Sequence, residues 1–196
     1  MPSAPPRIVL GSTSRYRAEL LRRLLPDFEQ AAPDTDESPL PNEAPAARAL
    51  RLAIAKADSA ARGYADALVI GSDQVAEVDG LILDKPGTRE RACSQLAASS
   101  GRSVHFHTAV CLLDTRDGRR QTHVDHTRAR FRALQPAEIA RYVEREQPLD
   151  CAGSFKCEGL GISLFEAIDS QDPSALIGLP LIALARLLRA AGLDMP

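Results

Sequence analysis

The sequence has no tryptophan and few other aromatic residues, and this scarcity excludes one class of protein. Its 196 residues include five phenylalanines and three tyrosines, too few for the stacking surfaces of a single-strand nucleic-acid binder. No run of lysine or arginine forms a basic stripe, and the formal net charge is −2. A general attraction to polyanions is therefore not expected, and any binding of phosphate must be local.

Long hydrophobic runs are also missing. The most apolar window, residues 175–185, is interrupted by Gly178 and Pro180 and falls short of the roughly 18 residues that span a bilayer. Residues 1–6 have neither the basic start nor the apolar stretch of a signal peptide. We therefore expect a cytoplasmic protein that is not bound to a membrane.

Cysteine and histidine are present, but not in the spacings of a metal site. The four cysteines are Cys93, Cys111, Cys151 and Cys157. They form no CxxC pair, so reduced thiols are favoured over disulfides or zinc ligands. The four histidines are His105, His107, His123 and His126. Zinc binding by these is an open alternative, although histidines in strands are more often hydrogen-bonded or exposed than ligated.

What the sequence does have is an alternation of strand and helix patterns. The predicted strands cover 7–11, 67–71, 75–78, 81–83, 103–113 and 121–131. The predicted helices cover 14–25, 46–62, 88–98, 136–146 and 179–193. Asp79-Gly80 and Asp117-Gly118 are turn signals for hairpins. Because repeats and linkers are missing, we predict one α/β domain over residues 1–196, with a mixed sheet flanked by helices and compatible with two lobes around a cleft.

A polar turn, residues 11–14, joins the first predicted strand to the first predicted helix. Backbone N–H groups and hydroxyls at a helix start suit phosphate oxygens. Arg17, one turn into the helix, would add a bidentate contact. On spacing alone, however, Ser12 or Ser14 is more often just a helix cap.

Asp73 is expected at the end of an apolar strand, where a carboxylate is costly unless it pairs, binds a metal or acts as a base. A satisfied structural carboxylate is at least as common at such a place. Lys85 follows the predicted hairpin, and a fold-back would bring its ammonium near this strand end, although a solvated turn lysine is equally compatible. In residues 151–159, the even spacing of Lys156 and Glu158 predicts one face of a strand.

Five motifs in this order resemble the Maf family. They are residues 8–14 with Arg17, 71–75, Lys85-Pro86, 151–161, and Asp172-Pro173 followed by 176–180. The similarity runs essentially from end to end, and five ordered motifs are far more specific than any one of them. Gly11 is a departure, because the family more usually has an apolar residue or Ala before the serine.

The resemblance implies a nucleoside-triphosphate pyrophosphatase with a fold related to the inosine-triphosphate pyrophosphatases. The cleft of such enzymes binds the triphosphate and a divalent metal, here Mg, Mn or Co. By position, Ser12 and Arg17 would hold phosphates, whereas Glu37 and Asp73 would serve the metal and water, with Asp73 as the proton acceptor. The lysines implied to neutralise the triphosphate are Lys56, Lys85 and Lys156.

Three positions are linked to base choice by the resemblance: Tyr16, Gln74 and Glu158. The branch that cleaves dTTP and UTP usually has Ala-Asp-Thr where this chain has Ser72-Asp73-Gln74, and Gln in place of Glu158. This chain is more similar to the branch that acts on 7-methyl-GTP. Methylation at N7 makes guanine cationic, which favours an aromatic face and a carboxylate, and Tyr16 and Glu158 supply both.

Other interpretations stay open. One is a pyrophosphatase for other canonical or modified nucleotides. Another is a non-catalytic nucleotide sensor, because Maf proteins are also associated with inhibition of septum formation. A nucleic-acid-binding module ranks last, given the charge and aromatic content. The resemblance also implies a homodimer.

Overall fold

The computed structural model describes residues 6–196 and folds them into helices and strands of mixed order. The helices are α1 (Arg15–Leu21), α2 (Pro45–Ala61), α3 (Arg89–Ser99), α4 (Pro136–Glu146) and α5 (Leu181–Ala190). The strands are β1 (Arg7–Gly11), β2 (Glu29–Ala31), β3 (Ala67–Val78), β4 (Leu81–Ile82), β5 (Ser103–Asp114), β6 (Arg120–Phe131) and β7 (Phe165–Asp169). The predicted α/β class is confirmed.

The strands pair in the order β2-β1-β3-β5-β6-β7, and β4 pairs with β3. β1 is parallel to both β2 and β3, whereas β4 on β3 and β7 on β6 are antiparallel. A parallel pair needs a crossover connection, and α2 provides it between β1 and β3. The sheet is therefore mixed, as the combination of crossovers and hairpins in the sequence predicts.

The chain divides into two compact units. The described part of the first unit comprises residues 6–73, Thr108–Asp125 and Asp172–Pro196. The second unit comprises Gln74–His107 and His126–Gln171. Each unit has its own apolar core, which we describe separately.

In the first unit, α1 and α5 pack their apolar faces onto β1, β3 and the end of β5. The largest buried side chains of this core include Leu10, Leu21, Ile70 and Leu112, all at most 1% exposed. Full burial of a leucine or isoleucine side chain contributes roughly 1.5–3 kcal/mol. This core fixes the strand that carries Asp73.

The second unit is built around phenylalanines. Phe106, Phe131, Phe155 and Phe165 meet edge to face, with ring centroids 4.7 to 5.8 Å apart. This is the geometry that aromatic quadrupoles favour. Four of the five phenylalanines of the chain thus meet in one core.

Two predictions about local structure were wrong. Asp73 does not end a strand, because β3 runs without interruption from Ala67 to Val78. Residues 151–159 do not form a strand either: they form turns, including a 3-10 turn at Ala152–Ser154, where Gly153 has φ of +74°. The spacing of Lys156 and Glu158 therefore carries no information about a common strand face.

The remaining element predictions differ mainly at their ends. α1 stops at Leu21 instead of Leu25, and the chain continues in turns. α5 begins after Pro180. Strands β2 and β7 were not predicted. In the described part of the chain, each helix is too short or too polar to cross a bilayer.

Candidate active site

Two paired glycines allow α2 to lie directly on the sheet. Gly11 of β1 and Gly71 of β3 are register partners. A Cβ on Gly71 would come 2.1 Å from the Ala53 carbonyl oxygen, and one on Gly11 would come 2.9 Å from the Lys56 carbonyl oxygen. Side chains at either position would therefore hold the helix away from the strands. Gly11, which departs from the usual family residue, is thus compatible with this close approach.

The close approach of helix and sheet joins Lys56 to Asp73. Lys56 lies on the buried face of α2, and Asp73 lies two residues after Gly71, on the same face of β3. The Lys56 Nζ donates a hydrogen bond of 2.6 Å to the Asp73 Oδ1, and the residues are 6% and 7% exposed. Removing one partner of a buried pair costs about 3–5 kcal/mol, since it leaves the other charge uncompensated.

Glu37 completes this charged cluster from the loop before α2. Its Oε1 lies 2.8 Å from the Lys56 Nζ, and its side chain is 57% exposed. The ammonium of Lys56 thus contacts two carboxylates of very different exposure. A buried Asp and an accessible Glu share one cation, and the more accessible carboxylate can exchange its partner at lower cost.

The loop that carries Glu37 is held by arginines of α2. Arg48 Nη2 donates to the Glu37 carbonyl oxygen at 3.3 Å, and Arg51 Nη2 donates to that of Ser38 at 3.1 Å. Arg51 also makes a two-point contact with Glu43, at 2.5 and 2.7 Å. The hydrogen bond from Arg51 lowers the pKa of Glu43. The helix therefore positions both Lys56 and the backbone that presents Glu37.

Ser12 and Arg17 come together at the turn after β1. The Arg17 Nη1 approaches the Ser12 Oγ at 3.5 Å, and the Arg17 Nε donates to the Gly178 carbonyl oxygen at 2.9 Å. Burial lowers the pKa of Arg17, whereas the charges of Asp73 and Glu37 act in the opposite direction. Arginine stays protonated despite such shifts. Ser14 is the cap of α1, as its spacing favoured, since its Oγ accepts from the Arg17 N–H.

The first unit therefore brings five of the expected residues into one electrostatic neighbourhood. They are Ser12, Arg17, Glu37, Lys56 and Asp73. Two cations, two carboxylates and a hydroxyl are groups that suit a polyphosphate and its counter-ion.

The other expected site residues belong to the second unit, except Tyr16. Lys85 and Glu158 are exposed, and Gln74 follows Asp73 in β3. The Lys156 Nζ donates to the carbonyl oxygens of Glu146 and Gln147, at 2.9 and 3.3 Å. This lysine therefore caps the end of α4 in the present conformation, a favourable place for a cation.

Tyr16 lies at the start of α1 in contact with its neighbour. The Arg15 guanidinium lies 4.7 Å from the centroid of the Tyr16 ring, and its Nη2 donates to the tyrosine hydroxyl at 2.7 Å. The ring is thus already engaged in a cation–π contact. Its aromatic face is a binding surface for a positive charge.

The donor set fits a divalent metal that shares its ligands with a substrate. Within residues 6–196, no group of three or more His, Cys, Asp or Glu side chains is placed to bind a metal ion. Asp73 and Glu37 offer two carboxylates around one ammonium. Mg²⁺ is commonly bound by one or two carboxylates together with substrate phosphates and water. These residues fit that arrangement and do not fit a closed structural site.

Three histidines of the second unit lie close together, but they are not among any metal-binding group found within residues 6–196. The His105 Nδ1 and the His126 Nε2 lie 3.0 Å apart, and the His107 ring lies 5.1 Å from that of His126. Burial, followed by the charge of His126, lowers the pKa of His107. His123 belongs to the first unit. The hydrogen-bonded alternative describes these side chains better than zinc binding does.

The cysteines are free thiols in the described structure, as predicted. Cys111 is buried, whereas the others are half-buried, so the expectation of core thiols holds for Cys111 alone. Burial raises the pKa of Cys111 to about 11. A thiol held protonated is neither a nucleophile nor a metal ligand.

Sequence reasoning missed the residues that support Arg17 from the other side of β3. Ser72 donates from its Oγ to the carbonyl oxygens of Ala109 and Gly178, at 2.8 and 3.0 Å. Asp172 accepts from the backbone N–H groups of Ser174 and Ile182 and so shapes the loop before α5. Both residues lie in the motifs described above, but the spacing of the motifs does not indicate these hydrogen bonds.

Comparison with known proteins identifies the family of the chain. The family model described as Maf-like protein matches residues 7–191. A 7-methyl-GTP pyrophosphatase of Burkholderia pseudomallei is 58% identical over 96% of this chain and 89% of its own length. One of Xanthomonas oryzae pv. oryzae is 59% identical over 97% of this chain and all of its own.

A more distant likeness concerns the fold alone. The structure of the Staphylococcus aureus Ham1 protein superposes with a TM-score of 0.55 at 16% identity, and covers 94% of this chain and 99% of that one. The match over residues 7–191 and the relatives of 58–59% identity establish that the chain belongs to the Maf-like protein family.

Proposed function

We propose that this protein is a nucleoside-triphosphate pyrophosphatase that hydrolyses 7-methyl-GTP to 7-methyl-GMP and pyrophosphate. The observation that carries the proposal is the cluster of Lys56, Asp73 and Glu37 beside Arg17 and Ser12. The relatives from Burkholderia and Xanthomonas bear the name 7-methyl-GTP pyrophosphatase, which supports the same reaction and substrate.

Asp73 is the proposed proton acceptor. Its carboxylate orients the attacking water and takes its proton as the water oxygen bonds to the α-phosphorus and the bond to the pyrophosphate oxygen breaks. Lys56, 2.6 Å away, stabilises the carboxylate before the reaction. Charge that moves onto the leaving pyrophosphate is then opposed by Lys56 and Arg17, and Ser12 supplies a hydroxyl for a phosphate oxygen.

Lys85 and Lys156 are proposed as further phosphate ligands. Both are cations of the second unit, and Lys156 presently donates to the carbonyl oxygens at the end of α4. A substrate contact requires its ammonium to leave those carbonyls. Exchange of this kind costs little for a flexible, partly exposed lysine.

Asp73 and Glu37 are the proposed ligands of a divalent cation, Mg, Mn or Co. When bound, such an ion polarises phosphoryl oxygens and lowers the pKa of a coordinated water. Lys56 contacts both carboxylates and offsets their repulsion. Glu37 is the more exposed carboxylate, so it is the one that would exchange the ammonium for a metal at lower cost.

The choice of base is proposed to depend on Tyr16, Gln74 and Glu158. A 7-methylguanine base is cationic, so an aromatic face and a carboxylate attract it more strongly than they attract guanine. The cation–π contact of Arg15 on Tyr16 supports the idea that this ring accepts a positive charge. Glu158 is exposed and available to a ligand.

The proposal is tested by incubating the protein with Mg²⁺, Mn²⁺ or Co²⁺ and a panel of 7-methyl-GTP, GTP, UTP, dTTP and CTP. Pyrophosphate and the nucleoside product are measured together. We expect 7-methyl-GTP to give monophosphate and pyrophosphate fastest. Faster turnover of another nucleotide would reject the substrate, and tight binding without turnover would favour the nucleotide-sensing alternative.

A single substitution tests the base assignment. Glu158→Gln removes the charge while keeping the size of the side chain, so kcat/KM should fall more for 7-methyl-GTP than for GTP. Equal losses on the two nucleotides would remove Glu158 from base recognition.

The homodimer and the cytoplasmic location stay predictions. Light scattering tests the first, and cell fractionation tests the second.

A further inference from the structure

Ser72 is buried on the face of β3 opposite Asp73, and its hydroxyl reaches a loop far along the chain. The side chain is 0% exposed. Its Oγ lies 2.8 Å from the Ala109 carbonyl oxygen of β5 and 3.0 Å from that of Gly178. A serine hydroxyl has one hydrogen, which these two acceptors share. Ser72 thus fastens the Gly178 loop to the sheet.

The Gly178 carbonyl oxygen also accepts a hydrogen bond from Arg17. This oxygen accepts from the Arg17 Nε at 2.9 Å and from the Ser72 Oγ at 3.0 Å. Gly178 is buried and has φ of +126°, a conformation that residues with a Cβ rarely adopt. A Cβ there would lie 3.6 Å from the Arg17 Nε. That distance is an ordinary van der Waals contact, so glycine is needed here for its backbone conformation, which turns the carbonyl toward the guanidinium.

This contact determines which edge of the guanidinium is left for a ligand. The Nε is occupied by Gly178, and the Nη1 makes a long contact of 3.5 Å with the Ser12 Oγ. With Nε engaged, the edge formed by Nη1 and Nη2 is the one left to make two parallel hydrogen bonds with phosphate. Fixing the arginine before binding removes part of the ordering cost that a free side chain would bring.

We propose that Ser72 is a positioning residue for the triphosphate, which acts through the Gly178 carbonyl to hold Arg17 in its phosphate-binding orientation. The inference rests on the proposed function, since it gives Arg17 a triphosphate to bind. It assigns Ser72 to phosphate binding through Arg17. Substitution of Ser72 should therefore lower kcat/KM equally for nucleotides with different bases.

A double-mutant cycle separates this role from a purely structural one. We expect Ser72→Ala to lower kcat/KM for 7-methyl-GTP and for GTP by about fivefold each, mainly through KM, as fits one hydrogen bond. In an Arg17→Lys background, which lacks the Nε donor, the same change should cost less than twofold. Additive losses in the two backgrounds would overturn the proposal.

Thr108→Val is the matched control. Thr108 is also 0% exposed, and its Oγ1 donates to the Ala175 carbonyl oxygen of the same loop at 3.0 Å. The Thr108→Val variant should lower the melting temperature about as much as Ser72→Ala does, yet change kcat/KM less than twofold. An equal loss of kcat/KM in both variants would mean that general loosening of the loop, not Arg17, is responsible. If Ser72→Ala folds poorly, Ser72→Cys keeps a weak donor and should show a smaller loss.

Binding of inorganic triphosphate, measured by calorimetry on the same variants, is independent of turnover. Coupling between Ser72 and Arg17 in these affinities supports the positioning role even if no nucleotide is hydrolysed, which would reject the proposed function alone. If the wild-type protein turns over 7-methyl-GTP but neither measurement shows coupling, the proposed function stands and the role of Ser72 is rejected.

Discussion

The Lys56 Nζ lies 2.6 Å from the Asp73 Oδ1, and both side chains are buried. They meet because Gly11 and Gly71, paired on neighbouring strands, let α2 rest on the sheet with no side chain between them. A buried ion pair is weak evidence for a stabilising role, because desolvation offsets most of the attraction. Its place beside Arg17 and Glu37 supports the catalytic role proposed for it.

Asp73→Asn should leave the protein folded and lower kcat by several powers of ten. Asparagine has the same size, and Lys56 keeps Glu37 as its partner at 2.8 Å. The change removes both the proton acceptor and a proposed metal ligand. Single-turnover assays and thermal unfolding are the measurements.

Asp125→Asn is the matched control for that substitution. Asp125 is a 5% exposed carboxylate of the same unit, on β6. It should show a stability change without a comparable loss of kcat. Near-normal turnover of the Asp73 variant, or an equal loss in the Asp125 variant, would remove Asp73 from the proposed mechanism.

The fold was largely predictable because its signals are local. The turn at Asp79-Gly80 and the apolar runs of β5 and β6 depend on neighbouring residues, and the structure has both hairpins. The sequence misplaces Asp73 because three polar residues, Ser72-Asp73-Gln74, interrupt an otherwise apolar segment. Such an interruption is typical of a strand end. In fact the strand is buried on both faces and continues.

The family resemblance names the residues of the candidate site but not the contacts between them. Resemblance indicated Lys56, Asp73 and Glu37 separately, yet only the packing of α2 on paired glycines explains why they meet. The contact of Ser72 with Gly178 joins residues 106 positions apart, and no periodicity reports such a pairing. The cap that Lys156 forms on α4 was hidden for the same reason.

Gly71→Ala should unfold the first unit or displace α2. The new Cβ would lie 2.1 Å from the Ala53 carbonyl oxygen, a backbone atom that cannot move alone. Overpacking of this kind costs about 1–3 kcal/mol, and occasionally more. Gly63→Ala is the control, because a Cβ added at Gly63 would have no atom within 4 Å among those compared. Chemical denaturation measures both variants, and equal midpoints would contradict the close approach of α2.

Acidification should destabilise the protein partly through His107. Burial and, next, the charge of His126 hold its pKa below 6.5, while His105 acts in the same direction and Glu77 opposes it. As pH falls below about 6.5, the unfolded chain binds the proton first, so stability decreases until the folded state is protonated too. Urea midpoints at about pH 8 and pH 5 measure the slope. His107→Gln should reduce the change of the urea midpoint between these pH values and leave the midpoint at the higher pH nearly unchanged. An unaltered change would show that His107 does not contribute to the pH dependence of stability.

Cys111 and Cys157 should resist alkylation in the native protein although they differ in exposure. Burial raises the pKa of Cys111 to about 11 and that of Cys157 to about 12, and the charge of Glu158 adds to the second effect. Because the thiolate is the reactive form, iodoacetamide at about pH 8 should modify both slowly, and much faster in urea. Glu158→Gln should increase the native rate at Cys157 and leave that at Cys111 unchanged. Peptide mass spectrometry follows each site, and a native rate at Cys157 equal to that in urea would contradict the raised pKa.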